Sequence, residues 1–418
     1  MSRVLVALFF LVVLVLSSSS FGDETISPGG SSVVRCSSCP VCPSPSPSPT
    51  PVPTPSSEMI YTFGSSLVGV NPYPSDSSAL AKAAVLKTYA DIVVQSWYSS
   101  ASQSYCNYLR TSPTTVDTCM PYYDFGFTFT TNSAWVSFKT YHLGNAYYLY
   151  GATPTTEAVM NFANPSWVTI FKNYLTTGFS GLNMAKTGSG HNAMFFDNGF
   201  FDPTWVWTSY PISASQRKID MKNALSTIRQ TYTANGDKIV MNVWSDVTAS
   251  WANDTAYYRS VMDMVDYAVF EVGVNNYGSG TPQSEANALN YINKAVEYNN
   301  NTKTTVLWTT EYGEFWRQFV AGLFSCTASK CGFWQQPEMS ATQISKTKNL
   351  KLGVPTTQYA KSGCYYRTFT NGIVVLNLTG SSCSYTLPPG VYTDWIAGGS
   401  VSGTRTLSAH IGKIYIKQ

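Results

Sequence analysis

The sequence predicts an α/β fold, a (β/α)8 (TIM) barrel, followed by a small antiparallel, sandwich-like β domain. Three observations predict it. Short continuous apolar runs alternate with helical stretches from about Glu58 onward, and unbroken apolar strands belong to parallel sheets covered on both faces. The count of such units is eight, over about 300 residues, a length that suits a barrel with insertions. After about Tyr359 the pattern switches to period-two strands. An open doubly wound sheet is the alternative, but no Gly-x-Gly-x-x-Gly fingerprint follows any strand and no P-loop occurs, which favours the barrel.

The barrel strands are expected at 59–63, 90–97, 118–123, 193–196, 238–244, 266–270, 305–308 and within 324–333. Between them, Met221, Leu225, Ile228 and Tyr232 recur at helical spacing, as do Leu289, Ile292 and Val296, so each stretch has one apolar face. Gly236 stands where a helix-ending glycine belongs. In the β domain, 364–369 and 373–378 flank Asn371-Gly372, a pair suited to the two positive-φ positions of a type I′ hairpin turn. Further strands are expected at 384–387, 391–395, 404–407 and 413–416. The domain boundaries are therefore a signal peptide at 1–22, a Cys- and Pro/Ser-rich linker at 23–57, the barrel at 58–355 and the β domain at 356–418.

The first segment holds Arg3 and then apolar residues throughout 4–16, with small residues after it. Thirteen residues fall short of the roughly 20 needed to span a bilayer, so this reads as a cleavable secretory signal, leaving no membrane segment. An extracellular or cell-wall location is expected. Pro at nearly every second place in 44–55 keeps the linker extended as polyproline II. The nine cysteines suit an oxidising compartment. Cys106 and Cys119, Cys326 and Cys331, and Cys364 and Cys383 are neighbours in sequence. Cys36, Cys39 and Cys42 are odd in number, which leaves one for a possible bridge to another chain. Asn253, Asn300 and Asn377 begin glycosylation sequons.

Composition excludes several functions. There are 26 Lys plus Arg against 23 Asp plus Glu, a net charge of +3, so nucleic acid is not an expected partner. Charged residues are 12% where about 25% is usual, while aromatics reach 14%. His142, His191 and His410 are too few and scattered for a zinc site, and neither metal nor cofactor is expected.

In a barrel the chemistry lies at the carboxyl ends of the strands. Four strands end in a carboxylate after apolar residues: Asp124, Asp197, Glu271 and Glu311. Asp197 and Glu271 end the fourth and sixth strands, and side chains from alternate strands share a layer, which sets them facing each other across the mouth. Paired carboxylates are what glycoside hydrolysis needs, one to attack the anomeric carbon and one to protonate the leaving oxygen. Each also reads as a helix cap or the partner of a cation. Trp97, Tyr123, Trp244 and Trp308 at strand ends offer faces for sugar rings, and Asn198 and Asn242 offer hydrogen bonds; core packing accounts for the aromatics about as well.

The run Phe195-Phe196-Asp197-Asn198, the strand ending at Glu271, Leu352-Gly353-Val354-Pro355, and the hairpin from Tyr366 to Asn377 with its Arg-x-Phe-x-Asn-Gly core resemble glycoside-hydrolase-like barrels with a C-terminal β domain, similar in layout to the α-galactosidase-like clans. The resemblance spans about 58–418. It implies a secreted carbohydrate-active enzyme with Asp197 as nucleophile and Glu271 as acid/base. The expectation is a retaining glycosidase acting on extracellular or cell-wall polysaccharide. The rival is a non-catalytic carbohydrate-binding or wall-structural protein on the same scaffold. A serine hydrolase is disfavoured, since no Gly-x-Ser-x-Gly elbow occurs.

Overall fold

A computed structural model describes residues 58–66, 77–97, 100–124, 127–129, 157–159, 162–166, 168–169, 190–197, 213–243, 254–276, 279–310, 313–335 and 339–418. The chain divides into two units, Met1–Pro53 and Thr54–Gln418, and every described residue belongs to the second. The expected signal peptide, the proline-rich linker and its three cysteines lie outside the described residues.

The strands are β1 (Thr62–Ser66), β2 (Ile92–Trp97), β3 (Thr118–Asp124), the short hairpin β4 (Phe127–Phe129) and β5 (Glu157–Val159), β6 (Ala193–Asp197), β7 (Lys238–Asn242), β8 (Tyr267–Phe270), β9 (Thr305–Thr309) and β10 (Gly332–Gln335). Eight of them, all parallel, close a barrel in the order β1-β10-β9-β8-β7-β6-β3-β2. Around it run helices α1 (Ser77–Leu86), α2 (Ser100–Arg110), α3 (Ala214–Asn235), α4 (Thr255–Met262), α5 (Glu285–Asn301), α6 (Phe315–Ser325) and α7 (Ala341–Lys348). Gly236 ends α3 at φ 73° and caps Tyr232 and Thr233, as its position in the sequence predicts.

Side-chain alternation divides each strand between two cores. Inside the barrel sit Val94, Met120, Phe195, Val240, Val269, Leu307 and Trp334. Outside, against the helices, sit Val93, Cys119, Phe196, Met241, Phe270, Trp308 and Phe333. Gly64 on β1 makes room for the interior indole: a Cβ there would lie 2.3 Å from the Trp334 ring. Disulfides join Cys106 to Cys119, Cys326 to Cys331 and Cys364 to Cys383, pairing the cysteines that are close in sequence.

The β domain is a six-stranded antiparallel sheet, β11 (Ala360–Ser362), β12 (Cys364–Phe369), β13 (Gly372–Leu376), β15 (Tyr392–Asp394), β16 (Ser400–Val401) and β18 (Gly412–Lys417), faced by the pair β14 (Cys383–Thr386) and β17 (Thr404–Leu407). The hairpin occurs where the sequence places it, but its turn differs. Phe369 pairs with Gly372, so the loop is Thr370-Asn371, and neither has positive φ. Gly372 instead permits close packing, since a Cβ there would meet the Tyr415 carbonyl at 2.4 Å. Helix α6 is buried along almost its whole length. It packs on β13 and β18 as well as on β9 and β10, so the β domain shares the core of the barrel. Among the sequons, Asn300 is exposed on α5. Asn377 is 1% exposed, and its amide donates to the Ser381 and Ser408 carbonyls.

At the amino-terminal end of the barrel, Asp91 accepts the Phe63 N–H at 2.7 Å while burial pushes its carboxyl up to about 6. Burial does the same to Asp237, also to about 6. Each holds its proton more firmly folded than unfolded, so the stability it contributes is present below the ordinary value of 3.8 and is lost as pH rises through about 6. Asp91→Asn keeps an acceptor for Phe63 and removes this titration. Its urea midpoint is expected to fall less between about pH 4 and pH 7 than that of the native protein; an identical pH dependence would contradict the assignment.

Candidate active site

The floor of the barrel mouth is aromatic. Trp334 stacks on Phe195 with centroids 5.6 Å apart, and Phe195 stacks on Tyr122 at 5.7 Å. The Tyr122 hydroxyl rises from this stack and donates to Asp197 Oδ2. Tyr122 and Phe195 are register partners on β3 and β6, which brings the next inward position, Asp197, within reach.

Asn242 ends β7 and is 5% exposed. Its amide nitrogen donates to Asp197 Oδ1 at 2.9 Å and to Glu271 Oε2 at 2.7 Å. With two carboxylates as neighbours, the amide must present its NH2 group and not its carbonyl oxygen. The two carboxylate oxygens lie at most about 5.6 Å apart, and about 4.9 Å apart where the two N–H directions diverge by about 120°. Alternation explains the convergence. Phe196, Met241 and Phe270 all face the helices, so the residue after each, Asp197, Asn242 and Glu271, turns inward at adjacent strand ends.

The structure thus brings three of the sequence-predicted residues together. Trp308 does not join them: it is 0% exposed and faces α6, against Gly322. Leu307 takes the inward position, so Trp308 serves the outer core and no sugar in the mouth can stack on it. Trp97 closes β2, Tyr123 pairs with Phe196, and Asp124 pairs with Asp197; only their backbone is described. Asn198, Trp244 and Glu311 lie outside the described residues. Glu314 caps α6 by accepting the Trp316 and Arg317 N–H groups. Sequence reasoning missed Tyr122, although counting two residues on from the interior Met120 reaches it. Among the described residues no group of three or more His, Cys, Asp or Glu could hold a metal ion.

The segment after Glu271 is held by buried amides. Gln318 of α6 accepts the Val274 N–H at 3.3 Å, and Gln283 donates to the Gly273 and Asn275 carbonyls. Two donors on Asp197 and a braced backbone beside Glu271 hold the two carboxylates in one arrangement.

No family model matches the chain, and no curated protein matches it. Solved structures do. An alpha-amylase from Malbranchea cinnamomea superposes with TM-score 0.50 at 10% identity, covering 85% of this chain and 96% of that one. A pullulanase from Bacillus acidopullulyticus gives 0.47 at 11%, covering 86% and 60%. The glycoside hydrolase domain of PelA from Pseudomonas aeruginosa gives 0.41 at 13%, covering 67% and 96%. At such identity the likeness to the amylase shows the fold alone: this chain has a barrel of the kind on which glycoside hydrolases are built.

Proposed function

We propose that this protein is a secreted glycoside hydrolase acting on polysaccharide, with Asp197 as nucleophile and Glu271 as acid/base. The observation that carries the reading is the single Asn242 amide bonded to both carboxylates. Retention of configuration needs carboxyl groups about 5 to 5.5 Å apart, whereas inversion needs about 6.5 to 9.5 Å to admit a water between them. A separation of at most about 5.6 Å between the two bonded oxygens supports retention.

Roles follow from the donors. Tyr122 and Asn242 each bond one oxygen of Asp197, which fixes the carboxylate facing the anomeric carbon as the attacking group. Glu271 delivers its proton to the departing oxygen and then takes one from the water that hydrolyses the glycosyl ester. Asn242 holds both carboxylates to one spacing. The three disulfides support an oxidising, extracellular setting.

The test is hydrolysis of a panel of α- and β-linked polysaccharides, with the anomer first released read by NMR. Turnover with retention is expected; inversion would exclude Asp197 as nucleophile. Asn242→Ala should lower kcat about 100-fold and Tyr122→Phe about tenfold, with KM changed less than kcat in both. Steady-state kinetics check this, and an effect confined to KM would remove both from the machinery.

A further inference from the structure

Of the sequons at Asn253, Asn300 and Asn377, the first lies outside the described residues, and the fold makes opposite demands on the other two. Asn377 is consumed by the β domain. Its Nδ2 donates to the Ser381, Leu407 and Ser408 carbonyls at 2.7, 3.3 and 2.8 Å. Its Oδ1 accepts the Thr379 N–H at 3.0 Å and the Thr379 hydroxyl at 2.9 Å. The amide thus ties the turn after β13 to the one between β17 and β18, in a residue only 1% exposed. Both of its hydrogens are used. A sugar on this nitrogen would replace one of them and would need the space that the two turns occupy, so a chain modified here cannot form this β domain.

Asn300 lies in the last turn of α5, the middle one of three consecutive asparagines. Asn299 is 3% exposed; it donates to the Ser325 carbonyl and accepts the Val306 N–H, both at 2.9 Å. Asn301 donates to the carbonyl and the carboxylate of Glu297. Asn300 is exposed between them, with no side-chain bond among the described residues. Its platform is firm, since Lys330 Nζ donates to the Asn299 and Thr302 carbonyls. Helix α5 runs from the carboxyl end of β8 to the amino end of β9, which sets Asn300 at the end of the barrel opposite Asp197 and Glu271.

Resting on the reading of the chain as secreted, we propose that Asn300 is a site of N-linked glycosylation and that Asn377 is a sequon taken over by the fold, bare in the folded protein. The donor is a lipid-linked diphosphate oligosaccharide. A bond forms from Asn300 Nδ2 to the anomeric carbon, the bond from that carbon to the diphosphate oxygen breaks, the lipid diphosphate leaves with the electron pair, and one amide proton is released. Transfer precedes completion of folding, because the sequon's Thr302 is 8% exposed in the fold and donates to the Tyr298 carbonyl. Folding then accommodates the sugar at Asn300 and excludes it at Asn377.

The full chain, produced in a eukaryotic secretory host, is treated with peptide N-glycosidase in heavy-oxygen water and mapped by peptide mass. The Asn300 peptide is expected to carry the heavy-oxygen mark and the Asn377 peptide to lack it. Asn300→Gln should remove one glycan from the intact mass and leave turnover unchanged. Asn377→Asp should lower the melting temperature without changing the glycan mass. A bare Asn300, or a glycan on Asn377, in folded protein from the medium overturns the inference and leaves the secreted reading standing. Protein retained in the cytosol without any glycan overturns that reading and the inference with it.

Discussion

Asp197→Asn is expected to lower turnover by about 10⁴-fold or more while leaving the fold intact. Asparagine is nearly the same size, so the aromatic stack of Trp334, Phe195 and Tyr122 beneath it keeps its packing. The variant still offers an oxygen to one of its two donors, Tyr122 and Asn242, so the cost to stability should stay near 1 kcal/mol. What is lost is the anionic oxygen that forms the bond to the anomeric carbon, and the other carboxylate bonded to Asn242, Glu271, is held on the far side of its amide. Kinetics and a thermal melt on the same sample separate the two effects. Loss of activity together with collapse of the melt would make Asp197 a structural residue.

Arg367→Met is expected to cost about 3 to 5 kcal/mol of stability, the largest effect of any substitution remote from the mouth. Arg367 is 5% exposed. Its Nη1 donates to the Leu323 and Phe324 carbonyls at 3.2 and 2.6 Å, and its Nε to the Thr357 carbonyl at 2.9 Å. The first two are carbonyls of the last turn of α6, where intrahelical donors run out, although Leu323 also accepts the Cys326 N–H at 3.4 Å. A cation there also meets the negative end of the helix dipole. Burial brings the guanidinium down to about 10, still charged at neutral pH. Methionine fills the space but leaves three buried carbonyls without this donor. Arg367→Lys should recover part of the loss, because one ammonium cannot reproduce the planar fork. Urea unfolding measures both; a cost below about 1 kcal/mol for the methionine variant would show that the β domain is not anchored through this residue.

This gives a physical reason for the arginine in the Arg-x-Phe-x-Asn-Gly hairpin. The motif is legible in the sequence as a hairpin, but what its arginine touches is not, because Leu323 and Phe324 lie more than 40 residues away. The turn residues mislead for a related reason: Gly372 is used for close approach to Tyr415, a demand from β18 that local turn chemistry cannot reveal. The barrel is legible because strands buried on both faces read as continuous apolar runs. The same property hides which residues face inward. Leu307 and Trp308 are equally apolar, and only the register with β8 and β10 assigns one to the interior and the other to α6. Asp197, Asn242 and Glu271 could be placed because a polar residue ending such a run stands out. Tyr122, one step before the more conspicuous Tyr123-Asp124, did not.

The most direct measurement is the intact mass of a Glu271→Gln variant given an activated aryl glycoside of the sugar released by the native enzyme. A good leaving group needs little acid assistance, while hydrolysis of the ester still needs the base, so the glycosyl-enzyme should accumulate. A mass increase of one glycosyl unit is expected, carried by the peptide that contains Asp197. A label on another residue, or release of the aryl group at the native rate with no covalent adduct, would contradict it.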